Sequence, residues 1–134
     1  MSRRGALHHL ELYVPDLERS MRFWGWLLLE LGYDAAQEWD EGCSYRLDDT
    51  TVVFVQAPAG AGELDRRAPG LNHLAFQVAS RDEVDGFTAA LRARGVRVLY
   101  EDRHPYAGGP DHYAVFVEDP DGLKVELVAP MQEE

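Results

Sequence analysis

His9 and His73 open two runs that repeat one another. The first reads His9-Leu10-Glu11-Leu12-Tyr13-Val14 and the second His73-Leu74-Ala75-Phe76-Gln77-Val78, so a histidine, a leucine and a valine recur in the same order and spacing. A third strand-like run carries Glu126 between Val125 and Leu127. Two imidazoles and a carboxylate are a donor set for a divalent metal. Three protein ligands leave coordination positions open, which catalysis needs, whereas a closed structural site takes four. Each residue alone reads as an ordinary strand residue; their joint placement in a repeated frame is what points to a metal.

The elements that must position these residues can be read from periodicity. Alternation over Ala6 to Val14 predicts a strand with His9, Glu11 and Tyr13 on one face and Leu10, Leu12 and Val14 on the other. Pro15-Asp16-Leu17-Glu18 reads as a helix entry with Asp16 as N-cap. Leu17, Met21, Trp24, Leu28 and Leu31 then recur at helical spacing until Gly32. From Tyr33 to Ala57 three short strands are expected, turning near Asp40-Glu41-Gly42 and Asp48-Asp49-Thr50. The order is βαβββ, occupying about residues 6–58, and a Pro- and Gly-rich linker follows at about 59–69.

The order repeats over about residues 70–130. A strand from Leu71 to Val78 precedes a helix from Ser80 to Ala93, capped by Ser80 or Asp82 and stopped by Gly95, with Val84, Phe87, Ala90 and Leu91 as its apolar stripe. A strand from Val96 to Tyr100, a long loop from Glu101 to Asp111, and strands around His112 to Val117 and Leu123 to Val128 complete the second module. Asp119-Pro120-Asp121-Gly122 makes the last turn. The whole is expected to be a single α+β domain spanning residues 1–134.

Composition narrows the partners. The chain has 134 residues, 46% hydrophobic and 28% charged, enough for one core without structural metal or disulfides. A formal charge of -11 repels phosphate backbones and anionic lipid, so neither nucleic acid nor membrane is an expected partner. The longest apolar run, Trp24 to Leu31, is too short to span a bilayer, and Arg3-Arg4 is followed by no export-type segment. Cys43 is the only cysteine, in keeping with a cytoplasmic location, and reads as a semi-buried strand residue rather than a nucleophile.

From Leu7 to Pro130 the chain resembles the vicinal oxygen chelate superfamily, which holds glyoxalase I, fosfomycin-resistance enzymes, extradiol dioxygenases, methylmalonyl-CoA epimerase and bleomycin-resistance proteins. The resemblance is carried by the opening from His8 to Ser20, by Leu71-Asn72-His73-Leu74-Ala75-Phe76, and by the ending from Glu118 to Leu127. It implies two βαβββ modules forming a curved mixed sheet around a cleft. It further implies a divalent metal (Zn, Fe, Mn, Ni or Co) held by His9, His73 and Glu126. His8 is the rival for the first ligand, and the family register favours His9. The resemblance also implies a small-molecule substrate with neighbouring oxygens, lyase, isomerase or dioxygenase chemistry, and a homodimer. The alternative is a drug-binding protein of the bleomycin-resistance type that does no chemistry.

Three departures shape that expectation. Matching Val53-Phe54 with Val125-Glu126 through the shared Ala-Pro endings puts Phe54 where glyoxalase I has a fourth ligand; an apolar ring cannot ligate, and Gln56, farther along the same face, offers only a neutral amide. Phe116 stands where extradiol dioxygenases often carry a tyrosine, and the cation and phosphonate residues of fosfomycin enzymes are not evident. Authentic glyoxalase I activity is therefore disfavoured.

The loop from Glu101 to Tyr113 is rich in functional groups, and period-two alternation from Phe116 sends His112 toward the cleft. His112 and Glu11 are the candidate proton movers, with backbone satisfaction the competing role for His104 and His112. Tyr13, Phe54, Arg103 and Phe116 are candidate substrate contacts. Trp39, Tyr45, Arg46 and Tyr100 are further candidates whose strand parity the sequence leaves open. Gly108-Gly109 reads as turn geometry rather than a phosphate cradle, since no helix follows.

Overall fold

The computed structural model describes residues 4–131. The chain divides into two compact units, residues 1–63 and 64–134, with the division inside the expected linker. In the first, β1 (His9–Val14), α1 (Leu17–Glu30), β2 (Asp34–Trp39), β3 (Gly42–Leu47) and β4 (Thr50–Gln56) follow the βαβββ order. The sheet order is β1-β4-β3-β2, with β1 parallel to β4 and the other pairs antiparallel. The second contains β5 (His73–Gln77), α2 (Arg81–Ala93), β6 (Ala114–Glu118) and β7 (Lys124–Val128), in sheet order β5-β7-β6 with β5 parallel to β7. The fold is α+β, two small mixed sheets with two helices. No helix among the described residues is long and apolar enough to cross a membrane.

The two helices begin and end alike. Asp16 caps α1 by accepting from Arg19 N at 3.1 Å, and Ser80 rather than Asp82 caps α2 by accepting from Glu83 N at 3.1 Å. At the other end Gly32 and Gly95 both take positive φ, 101° and 77°. Gly32 N and Tyr33 N reach back to Leu29 O and Leu28 O, while Gly95 N and Val96 N reach Arg92 O and Leu91 O, the Schellman pairing in both cases. Only glycine takes this left-handed turn without a Cβ penalty, which explains why both stops were readable.

Each helix covers one face of its sheet. In the first unit Leu10 and Leu12 pair in register with Val52 and Phe54, and this face meets the buried Phe23, Trp24, Leu27 and Leu28 of α1. Cys43 and Tyr45 of β3 lie opposite Phe54 and Val52 on the same face. The Cys43 thiol donates to Met21 Sδ at 3.1 Å, and burial, with Glu38 second, pushes its pKa up. In the second unit Leu74, Val125, Leu127, Val115 and Val117 form the matching face against Val84 and Leu91 of α2.

One expected element is reduced. Val96 to Tyr100 does not form a full strand; Val98 makes an isolated antiparallel bridge to Val117, supported by Leu99 N to Phe116 O at 2.7 Å and Glu118 N to Arg97 O at 3.2 Å. The positive φ of Gly95 and of Tyr100 (57°) brackets the segment and turns the chain away after a few residues. The second module thus has three strands and a bridge where four strands were expected.

Candidate active site

The face opposite each helix carries the polar residues. Alternation does the sorting: in the second unit His73 pairs with Lys124, Ala75 with Glu126, and Phe116 with Glu126 from the other side, so all of these belong to the face away from α2. Glu126 is on the central strand of three and is only 4% exposed. Its Oε1 lies 3.0 Å from His73 Nε2, and its Oε2 is in close contact with His112 Nε2. A buried carboxylate is costly unless its oxygens are engaged, and here each faces an imidazole nitrogen. The Phe116 ring completes the enclosure, edge-on to His73 at 6.0 Å and stacked on His112 at 6.4 Å.

His112 gets there by a different route from the one periodicity suggests. It lies outside β6, in a turn closed by His112 N to Gly109 O at 3.1 Å. Gly108 has a more specific role than turn geometry, because a Cβ there would overlap the His112 ring. Tyr113, the next residue, fastens the loop to α2: its hydroxyl donates to Asp85 Oδ1 at 2.6 Å, and the Arg81 guanidinium lies 4.8 Å from its ring centroid. The hydrogen bond to Asp85, with burial second, pushes the Tyr113 pKa up to about 12. His104 is moved the other way, down, by burial and then by Arg92.

Lys124 is a component that reading the sequence missed. It lies two residues before Glu126 on the same face, with Nζ 3.2 Å from Tyr100 Oη and 5.9 Å from the Phe116 centroid. The alternation that placed Glu126 would have found it. Asn72 was missed too, although it stands beside His73 and its Oδ1 is 2.7 Å from His73 Nδ1.

In the first unit the corresponding face holds His9, Glu11, Thr51, Val53, Ser44 and Arg46, set by the pairs His9–Thr51, Glu11–Val53, Ser44–Val53 and Arg46–Thr51. With His8, Gln37 and Trp39 they line a pocket of about 550 Å³. This settles the open parity: Arg46 and Trp39 share the face of His9, while Tyr45 points to α1, where its hydroxyl would be 3.0 Å from a Cβ on Gly25. His8 Nδ1 is 3.0 Å from His9 Nδ1. Tyr13 is 71% exposed, and Arg103 is exposed with its guanidinium 5.0 Å from the Tyr100 ring centroid.

Two expectations about the first unit are corrected. Phe54 does not line a substrate cleft: it is fully buried on the helix face, its ring 5.4 Å from that of Trp24. Nor is it the counterpart of Glu126. Ladder register pairs Glu11 with Val53 as it pairs Ala75 with Glu126, so Val53 is the equivalent position and Phe54 matches Leu127. Matching the Ala-Pro endings slipped by one residue, which exchanges the two faces of a strand. Gln56 is likewise committed elsewhere, accepting from Leu17 N at 2.9 Å and donating to Pro15 O at 2.6 Å.

Whether these residues suit a metal depends on donor chemistry. Among the described residues no group of three or more His, Cys, Asp or Glu side chains stands in a preformed metal-holding arrangement. Of the expected ligands, His73 and Glu126 fit: a nearly buried carboxylate with an imidazole Nε2 3.0 Å from one of its oxygens offers the nitrogen and oxygen donors that divalent transition metals take.

Comparison with known proteins agrees with this architecture. The profile of the Glyoxalase/Bleomycin resistance protein/Dioxygenase superfamily matches residues 6–127. The uncharacterized protein YqjT of Bacillus subtilis (strain 168) is 58% identical over 126 residues, covering 92% of this chain and 98% of that one. A crystal structure of a glyoxalase candidate from Bacillus halodurans superposes with a TM-score of 0.92 at 54% identity, covering 95% of this chain and 97% of the other. Glutathione transferase FosA of Serratia marcescens is 30% identical over 122 residues, 91% of this chain and 79% of FosA.

Proposed function

The chain belongs to the glyoxalase/bleomycin resistance protein/dioxygenase superfamily, and we propose that within it the protein is a divalent-metal-dependent enzyme acting on a small substrate with two neighbouring oxygens. The proposed ligands are His9, His73 and Glu126, the chemistry is of lyase, isomerase or dioxygenase type, and the working form is a cytoplasmic homodimer. The observation that supports this reading most is Glu126. A carboxylate on a central strand, buried yet aimed at imidazoles, is an expensive arrangement that a folding role alone does not call for.

When bound, a divalent ion supplies Lewis-acid stabilisation of charge developing on a substrate oxygen, worth several kcal/mol. The chain's own residues do the rest. His112, held by Gly108 and the Tyr113 anchor, stands in contact with Glu126 and can hold or move a proton there. Glu11, exposed on the pocket face of the first unit, is the second proton mover. Arg46 and Trp39 in the same pocket offer a guanidinium and an aromatic face to an oxyanion and its apolar body. Phe116, the ladder partner of Glu126, packs its ring against His73, and the Lys124 ammonium supplies nearby positive charge.

The test is metal content after chelation and reloading, with His9→Ala, His73→Ala and Glu126→Ala alongside the unaltered protein. Each substitution is expected to reduce bound metal; unchanged content in all three sinks the assignment. Turnover is then measured against α-hydroxycarbonyls, thiol adducts and catechols. Ligand binding with neither metal nor turnover would instead make the protein a sequestering one, like bleomycin-resistance proteins.

A further inference from the structure

In both units the residue immediately before the strand histidine stands on that histidine's Nδ1. Asn72 Oδ1 is 2.7 Å from His73 Nδ1, and His8 Nδ1 is 3.0 Å from His9 Nδ1. A neutral imidazole carries one hydrogen and one lone pair. The Asn72 carbonyl oxygen only accepts, so its contact requires the hydrogen on His73 Nδ1 and leaves the lone pair on Nε2. That Nε2 is the atom facing Glu126 Oε1 at 3.0 Å. A bare lone pair facing a carboxylate oxygen is repulsive, so this side of the ring calls for positive charge between the two atoms, supplied by a second ring hydrogen in the metal-free protein or by a metal ion in its place.

We propose that Asn72 and His8 are positioning residues that hold His73 and His9 in the tautomer whose Nε2 lone pair is free to ligate. The inference rests on the metal assignment above and adds what selects the reactive nitrogen. The His8–His9 contact can be satisfied in either direction, and the assignment is that His8 Nδ1 accepts from His9 Nδ1–H and carries its own hydrogen on Nε2. Partners of this kind fix both ring orientation and tautomer, and their loss lowers metal affinity about 10- to 100-fold. Because each precedes its histidine directly, the device travels with the strand and needs no distant element to be in place.

The experiment reads the rings in the metal-free protein. Long-range 1H–15N spectra at alkaline pH distinguish Nδ1–H from Nε2–H imidazoles. His73 should be Nδ1–H in the unaltered protein and in Asn72→Asp, which keeps an oxygen acceptor, and should move toward Nε2–H in Asn72→Leu. His9 should respond in the same way to His8→Asn and His8→Leu. Zinc affinity, measured by competition with a chromophoric chelator, should fall about 10- to 100-fold in the two leucine variants and not fall below the starting value in Asn72→Asp. An Nε2–H His73 in the unaltered protein, or a tautomer unmoved by Asn72→Leu, overturns the proposal. A protein that binds no zinc while His73 remains Nδ1–H overturns the metal assignment instead and leaves the tautomer assignment standing.

Discussion

The two units share a ladder position and fill it with opposite chemistry. In the first, the acid is Glu11 on β1 and its partner on β4 is Val53; in the second, the first-strand residue is Ala75 and the acid is Glu126 on β7. Sheet order turns this exchange into a difference of environment. β1 is an edge strand, so Glu11 has one neighbouring strand and is exposed, whereas β7 is central and Glu126 is closed in from both sides. A duplicated backbone thus provides a solvated carboxylate suited to moving protons and a desolvated one suited to binding a cation. The same residue type acquires two environments from strand position.

The equivalence of Val53 with Glu126 is open to the most severe test. If the ladder register is right, Phe54 is core and Phe54→Ala costs about 3–5 kcal/mol of stability in urea unfolding. Val53→Ala, on the pocket face, should cost about 1.5 kcal/mol or less. Comparable losses would mean that the faces are not separated as described, and a larger loss at Val53 would restore the pairing suggested by the Ala-Pro endings.

The division of labour between the acids comes next. Glu126→Gln should lower metal affinity by more than about 100-fold, exceeding the effect of losing an outer partner. Glu11→Gln should leave metal content unchanged and reduce turnover, by about 100-fold or more if it moves the proton. Metal loss in Glu11→Gln would break the comparison, since it would make both acids ligands.

Much of this was legible in the sequence because it depends on local rules. Asp16, Ser80, Gly32 and Gly95 announce helix ends through caps and left-handed turns, and strand alternation separates His9 and Glu11 from Leu10 and Leu12. What escaped depends on nonlocal pairing. Whether Val53 or Phe54 shares a face with His9 is decided by the β1–β4 register, which a matched Ala-Pro pair cannot supply. His112 reaches Glu126 through a turn, so the alternation argument turned it to the right face by a route the chain does not take. Val96 to Tyr100 has strand composition, but the positive φ of Tyr100 ends it early.

The loop bearing His112 has no equivalent among the described residues of the first unit, and its anchor gives a pH signature. Tyr113 is raised to about 12 chiefly by its hydrogen bond to Asp85. The native state therefore holds this proton more tightly than the unfolded chain, where a tyrosine titrates near 10. The stability it contributes is complete below about pH 10 and is lost as pH rises toward about 12. Asp85→Ala should bring one phenolate transition, followed by ultraviolet absorbance, down toward the ordinary value. An unchanged titration would show that Asp85 does not hold the loop.

The smallest expected effect separates the two helix entries. Both N-caps accept from the third helical amide, but the second satisfier differs. In α2 it is local, Glu83 Oε1 accepting from Ala79 N at 3.0 Å; in α1 it comes from across the sheet, Gln56 Oε1 accepting from Leu17 N while its Nε2 donates to Pro15 O. The ladder-equivalent residue in the second unit is Ala129, whose methyl group can neither donate nor accept. Gln56→Ala should therefore cost about 0.5–1.5 kcal/mol for each of the two hydrogen bonds lost, and leave metal content untouched, because the amide is spent on the helix entry. Reduced metal binding in Gln56→Ala would reverse the assignment and make the amide part of the site after all.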